Sequence, residues 1–257
     1  MTRLPVLPAA LAAMLAGLLP ASAERLVLSV SSPQVAIASN FTGTQVVVFG
    51  VIERDNQSVA RAGAYDVIIT VRGPRESITV RRKEAFGPIW LNREQQKFFA
   101  VPALLAVYAT RPIPSLASEP LRRKLGLGIE AVIDSPEYTI DRGARDDPFR
   151  QALVRLKARE RLYVEHGSGV ALLTEGVFRA PIPLPATAPL GNYDVEATLL
   201  ADGVVLTRRS AHFSVVKAGF EEEITELARD RGMLYGLATA AMALAFGWLA
   251  SVIFRRD

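Results

Sequence analysis

Few residues of this 257-residue chain have the types and spacing that chemistry demands. It has no cysteine, which excludes thiolate zinc sites, iron–sulfur clusters, thiol nucleophiles and lipid-modified cysteine. The two histidines, His166 and His212, have no obvious third ligand, so they make a poor zinc site. His166-Gly167-Ser168-Gly169 sets a histidine beside a serine, but the nucleophile elbow G-x-S-x-G needs glycine where His166 stands. Gly126-Leu127-Gly128-Ile129-Glu130-Ala131 fits G-x-G-x-x-A, a phosphate-binding turn that works only between a strand and a helix. The basic run Arg122-Arg123-Lys124 precedes it and a β-like Ala131-Val132-Ile133 follows, so no cofactor is expected there. Asp134, Glu137, Asp141, Asp146 and Asp147 could supply paired carboxylates for acid–base chemistry, although acidic loop residues are normally solvated. The expectation is no catalytic residue, no metal ligand and no cofactor.

A second kind of site is defined by charge. Arg72, Arg75, Arg81, Arg82, Lys83, Arg93 and Lys97 outnumber Glu76, Glu84 and Glu94, with Trp90, Phe98 and Phe99 among them. That mixture suits a small oxyanion, an anionic lipid headgroup or an acidic protein face. Arg72, Arg75, Arg81, Arg82, Lys83, Trp90 and Arg93 are therefore the candidate anion or partner surface, with a solvated strand face as the plain alternative.

The composition, 50% hydrophobic and 22% charged, excludes a disordered tail, a collagen-like fibre and a disulfide-stapled miniature domain. At the amino end, Arg3 is followed by an apolar run to Leu19, then Pro20 and Ala21-Ser22-Ala23, which reads as a secretory signal over 1–23. At the carboxyl end, Met233 to Phe254 holds no charge; its 22 residues as helix would reach about 33 Å, against about 30 Å of hydrocarbon. Arg255 and Arg256 follow, and the positive-inside rule would keep them cytoplasmic. The expected organisation is a periplasmic ectodomain over 24–218, with a sub-boundary near 112–147, and an acidic juxtamembrane stem over 219–232. A bacterial inner-membrane helix over 233–254 and a tail over 255–257 follow. Nucleic acid is not an expected partner on that side of a membrane. Gly236, Ala240, Ala243, Gly247 and Ala250 recur at spacings of 4, 3, 4 and 3, a candidate helix–helix interface for self-association or for a multi-span partner.

The elements that must position these residues read mostly as strands. Runs at Arg25–Ser31, Gln45–Ile52, Tyr65–Val71, Ser77–Arg81, Gly169–Thr174, Gly176–Ile182, Tyr193–Leu200, Val204–Thr207 and Ala211–Lys217 are short, rich in β-branched residues and separated by turn formers. Asp202-Gly203 joins two of them as a tight hairpin. One amphipathic helix, capped by Asp147 with Pro148 in its first turn, runs to about Tyr163. The expected fold is mainly β: an Ig-like β-sandwich ectodomain, one or two sandwiches, with an inserted amphipathic helix and one carboxyl-terminal transmembrane helix.

Ser32-Pro33, Asn40-Phe41-Thr42-Gly43, Val48-Phe49-Gly50, Gly73-Pro74, Ile89-Trp90-Leu91-Asn92-Arg93-Glu94, Val101-Pro102 and Tyr108-Ala109 resemble a family of alphaproteobacterial transmembrane proteins. Leu190-Gly191-Asn192-Tyr193 and Asp202-Gly203 fit the same pattern, although the Pro102-to-Tyr108 spacing is longer than the family's. The resemblance implies an inner-membrane location, a periplasmic ectodomain and an accessory role beside sulfite/sulfonate-exporter-type permeases, with no activity to carry over. The functional expectation is a non-enzymatic accessory or binding module for an inner-membrane partner or a small anion. The alternatives are a periplasmic carboxylate-dependent hydrolase or transferase, and a purely structural envelope protein.

Overall fold

The structure, a computed structural model, describes residues 24–38, 41–53, 64–134, 147–174, 176–218 and 232–253. The signal-like 1–23, most of the stem and the tail lie outside the described residues. In chain order the strands are β1 (Arg25–Val30), β2 (Gln34–Ile37), β3 (Gly43–Glu53), β4 (Asp66–Arg72), β5 (Arg75–Phe86), β6 (Ile89–Pro102), β7 (Leu105–Ala109), β8 (Tyr163–His166), β9 (Ala171–Thr174), β10 (Val177–Pro185), β11 (Gly191–Ala201) and β12 (Val204–Lys217). The helices are α1 (Ile113–Leu116), α2 (Glu119–Leu125), α3 (Ile129–Ile133), α4 (Pro148–Arg159) and α5 (Gly232–Ile253).

Two sheets share one core. A four-stranded sheet runs β1-β3-β10-β9 and a six-stranded sheet runs β2-β12-β11-β4-β7-β8. Alternation decides which face goes inward: Val46, Val48 and Ile52 of β3 and Phe178, Ala180, Ile182 and Leu184 of β10 are buried. Tyr193, Val195, Ala197 and Leu199 of β11 and Phe213 and Val215 of β12 are buried in the same continuous cluster. Gly50 is needed for this packing, because a Cβ there would lie 2.0 Å from the Phe178 ring. Pro181, Pro183 and Pro185 fall beyond the stretch of β10 that pairs β9, and their common parity lets all three missing donors face the open edge. β4 is buried along almost its whole length, the mark of a strand covered on both faces. Ile113, Leu116, Ile129, Val132, Ile133 and Leu153 of the helices join the same cluster.

Several expectations need correction. Among the described residues no helix is long and apolar enough to cross a membrane, which overturns the transmembrane helix expected over 233–254. A helix does form there, α5, but freedom from charge is not the same as high apolarity. Gly236, Ala240, Ala243, Gly247 and Ala250, with Thr239 and Ser251, present little apolar area per residue. The Ig-like arrangement expected from the sequence is without support: the sheets are antiparallel except at two edges, where β2 pairs β12 in parallel and β8 pairs β7 in parallel. The inserted helix ends at Arg159, since Arg161 takes the left-handed φ of 59° and Tyr163 already belongs to β8. Its start is as the residues require, with Asp147 Oδ1 accepting from the Phe149 N–H at 3.0 Å. Ala131-Val132-Ile133 is helical, and β12 is one strand where the sequence suggested two. The Asp202-Gly203 hairpin is present, with φ of 49° and 76°.

Candidate functional site

β5 and β6 form a sheet of their own, a two-stranded ribbon of 12 and 14 residues. Its pairing runs from Arg75↔Pro102 to Phe86↔Ile89 and closes through Gly87-Pro88, where Gly87 takes a φ of 59°. Two register shifts bend it, one between Glu76 and Ile78 opposite Ala100 (φ 54°), the other between Arg82 and Lys83 opposite Arg93. At the base, Val80, Phe98 and Val101 enter the core, and Lys157 of α4 bonds Glu76 and also donates to the Ala103 carbonyl at 3.4 Å.

Beyond that base the ribbon leaves the core. Phe86, Ile89, Trp90 and Leu91 are 64%, 52%, 70% and 41% exposed, so four large apolar side chains at one tip are wetted. Behind them Arg82 reaches Glu94 at 3.4 Å and Glu84 at 3.8 Å, and Arg93 reaches Glu84 at 3.8 Å. These exposed pairs hold little energy and leave the arginines available to another partner. Arg81 and Lys83 form no ion pair among the described residues. Lys97 lies 4.8 Å over the Phe99 ring.

The structure therefore divides the surface expected from sequence. Arg81, Arg82, Lys83, Trp90 and Arg93 come together on the distal ribbon, whereas Arg75 lies at its base. Arg72 belongs to β4 and is engaged by Glu196 at 3.1 Å. Phe86, Ile89 and Leu91 were missed as site residues; their signal was an apolar residue on each side of a Gly-Pro turn. Gly236, Ala240, Ala243, Gly247 and Ala250 lie exposed on α5, as do Met233, Leu237, Phe246 and Trp248.

The other candidates are taken up by structural contacts. Gly126 ends α2 and Gly128 precedes α3, but the Glu165 carboxylate accepts the Ile129 N–H at 3.0 Å, where a dinucleotide phosphate would need to sit. His166 accepts weakly from the Ser168 N–H at 3.4 Å and stacks on Tyr108, while His212 faces Asp194 at 2.8 Å. Three strands separate β8 from β12, about 19 Å at normal strand spacing, so the histidines do not meet. Among the described residues no group of three or more His, Asp or Glu could hold a metal ion. Asp134 pairs with Arg150 at 2.7 Å and Asp147 caps α4; Glu137, Asp141 and Asp146 lie outside the described residues.

A cavity of about 750 Å³ opens among α2, α3, α4 and β8. Arg122, Arg150 and Arg155 line it with Glu130, Asp134 and Glu165. Arg150 is 9% exposed, and its Nε, like that of Arg122, is buried without a hydrogen-bond partner among the described residues. Elsewhere, Asp66 is buried at the start of β4, with Oδ1 accepting from Arg111 Nε and Thr110 Oγ1, each at 2.9 Å, and Oδ2 accepting from Arg111 Nη2. Burial pushes this carboxyl up, but the hydrogen bonds from Arg111 and Thr110 and the Arg111 charge prevail, leaving it below its ordinary value.

No curated protein matches the chain. Among solved structures it is similar to the N-terminal domain of the Streptococcus gordonii adhesin Sgo0707, at 8% identity and a TM-score of 0.27. That match covers 74% of this chain, which spans only 32% of the adhesin chain, and a likeness this slight carries no argument. The family model described as "Putative transmembrane protein (Alph_Pro_TM)" matches residues 25–256, the whole of the sandwich and its ribbon, and this chain belongs to that family.

Proposed function

We propose that this chain is a non-enzymatic, membrane-associated binding module of the bacterial envelope, acting on the periplasmic side of the inner membrane through its β5–β6 arm. One observation carries the reading: a ribbon that leaves the core exposes Phe86, Ile89, Trp90 and Leu91 beyond a cationic neck. Soluble monomers rarely leave large apolar side chains clustered in water without a use for them. The engagement of Asp134, Asp147, His166 and His212 in local contacts supports binding over hydrolysis or group transfer. Membership of a family named for its membrane association supports a target at the bilayer, either the lipid itself or a multi-span permease. A photo-crosslinking residue placed at Trp90 should form adducts in intact membranes, whereas one at exposed Ser210 on β12 should not. Equal labelling at both positions, or none at Trp90, removes the reading.

A small oxyanion ligand is the second reading, favoured by the buried Nε atoms of Arg122 and Arg150, which have no partner among the described residues, beside the α2–α4 cavity. It predicts that phosphate or sulfate raises the melting temperature and that Arg122→Gln abolishes the rise. No shift with either anion discards it.

A further inference from the structure

We infer that the arm inserts its tip end-on into an anionic lipid surface, an inference that rests on reading β5–β6 as the docking element. The first ground is the distribution of apolar side chains around the tip. Cross-strand partners share a face of a ribbon, and successive residues alternate between faces. Phe86 pairs Ile89 and Glu84 pairs Leu91, which puts Phe86, Ile89 and Leu91 together on one face, with Glu84 at its rear edge held by Arg82 and Arg93 of the cationic neck. Ala85 pairs Trp90, which puts the indole on the opposite face. A ribbon laid flat against a protein would need apolar groups on one face only. Apolar groups all round the end suit immersion in an apolar medium.

The second ground is spacing. Lys83 lies four residues back from Gly87, about 13 Å at the strand rise, and its cross-strand partner is Asn92. Interfacial elements enter the headgroup–acyl boundary by about 5–10 Å, which would take in the apolar tip and stop at the cations. Arg81, Arg82, Lys83 and Arg93 then form a collar at headgroup level. The complete ribbon has six basic residues against three acidic ones, so the collar is attracted to anionic lipid. Trp90, an amphipathic ring just ahead of the collar, is the residue type that membrane interfaces favour. The turn is also suited to entry: Pro88 has no N–H to leave unsatisfied, and Phe86 and Ile89 are already paired.

The chain has two tryptophans, so Trp248→Phe leaves Trp90 as the sole tryptophan of the full chain, to be excited selectively beyond the tyrosine band. Added to vesicles containing phosphatidylglycerol, this variant should show a blue-shifted emission that acyl-brominated lipid quenches. With phosphatidylcholine alone both effects should be absent. Neutralising the collar with R81Q, R82Q and K83Q together should weaken binding to the anionic vesicles by about a hundredfold, at roughly fivefold per charge. Replacing the tip with F86S, I89S and L91S should abolish quenching while the circular dichroism spectrum stays unchanged. The inference is overturned if the chain floats with anionic vesicles while Trp90 emission and quenching stay at their free values. Protein adducts at position 90 with unquenched Trp90 would overturn lipid insertion and leave the docking arm standing. Neither adduct nor quenching would remove both.

Discussion

β11 and the β5–β6 ribbon are both long, antiparallel and mixed in polarity, yet they meet water in opposite ways. β11 sends Tyr193, Val195, Ala197 and Leu199 into the core, where Tyr193 stacks on Phe213 at 4.8 Å and donates its hydroxyl to the Pro189 carbonyl at 2.7 Å. Burial pushes the Tyr193 phenol well above its ordinary value, in keeping with a side chain that serves packing. The ribbon sends Val80, Phe98 and Val101 into the core at its base and leaves Phe86, Ile89, Trp90 and Leu91 at the far end in water. In the sandwich, apolar area is what holds the fold together. In the arm the same kind of area is surplus to folding, which is why a target outside the chain is the economical account of it.

The contrast breaks most easily from the sandwich side. Phe178→Ala should lose about 3–5 kcal/mol of stability in denaturant melts, since the ring is fully buried against Gly50 and its removal leaves a cavity. Asp66→Asn should cost about 1–3 kcal/mol by leaving part of the Arg111–Thr110 network unsatisfied. It should also flatten the acid limb of stability against pH. The folded carboxyl lies below its ordinary value of 3.8, so its contribution is complete above that value and is lost as pH falls through the lowered one. Ala100→Gly should raise stability by about 0.5 kcal/mol, because the left-handed φ of 54° strains alanine at the bulge that aims the arm. Phe86→Ser and Leu91→Ser should change stability by less than about 0.5 kcal/mol, yet these are the substitutions expected to end docking. A tip variant that unfolded the protein would erase the distinction between arm and core.

The sandwich was legible where one side of a strand is buried. The alternation in Tyr193–Leu200 and the Asp202-Gly203 turn identified the β11–β12 hairpin, because a buried face imposes a period of two and a tight turn demands positive φ. β6 was not legible as a strand, since most of Ile89–Lys97 is exposed and no burial imposes a pattern on it. The short helices α1 to α3 are four to seven residues long, too brief to display a helical period, and Ala131-Val132-Ile133 owes its helix to a start after Gly128 that Glu165 caps from a distant strand. The charge of the candidate surface could be read from the chain, but its division could not. Only the pairing of Arg72 with Glu196 and the register of the ribbon separate the neck from the tip. At the carboxyl end, missing charge drew attention to α5, whose small residues fall short of the apolarity a membrane span needs.

Hydrogen–deuterium exchange of the full chain, with and without phosphatidylglycerol-containing vesicles, tests the central claim most directly. The account predicts new protection confined to peptides spanning Arg81 to Arg93, with β3, β10 and β11 exchanging as before. Exchange over Arg81 to Arg93 that stays unchanged, while protection appears on the faces of the sandwich, would contradict it.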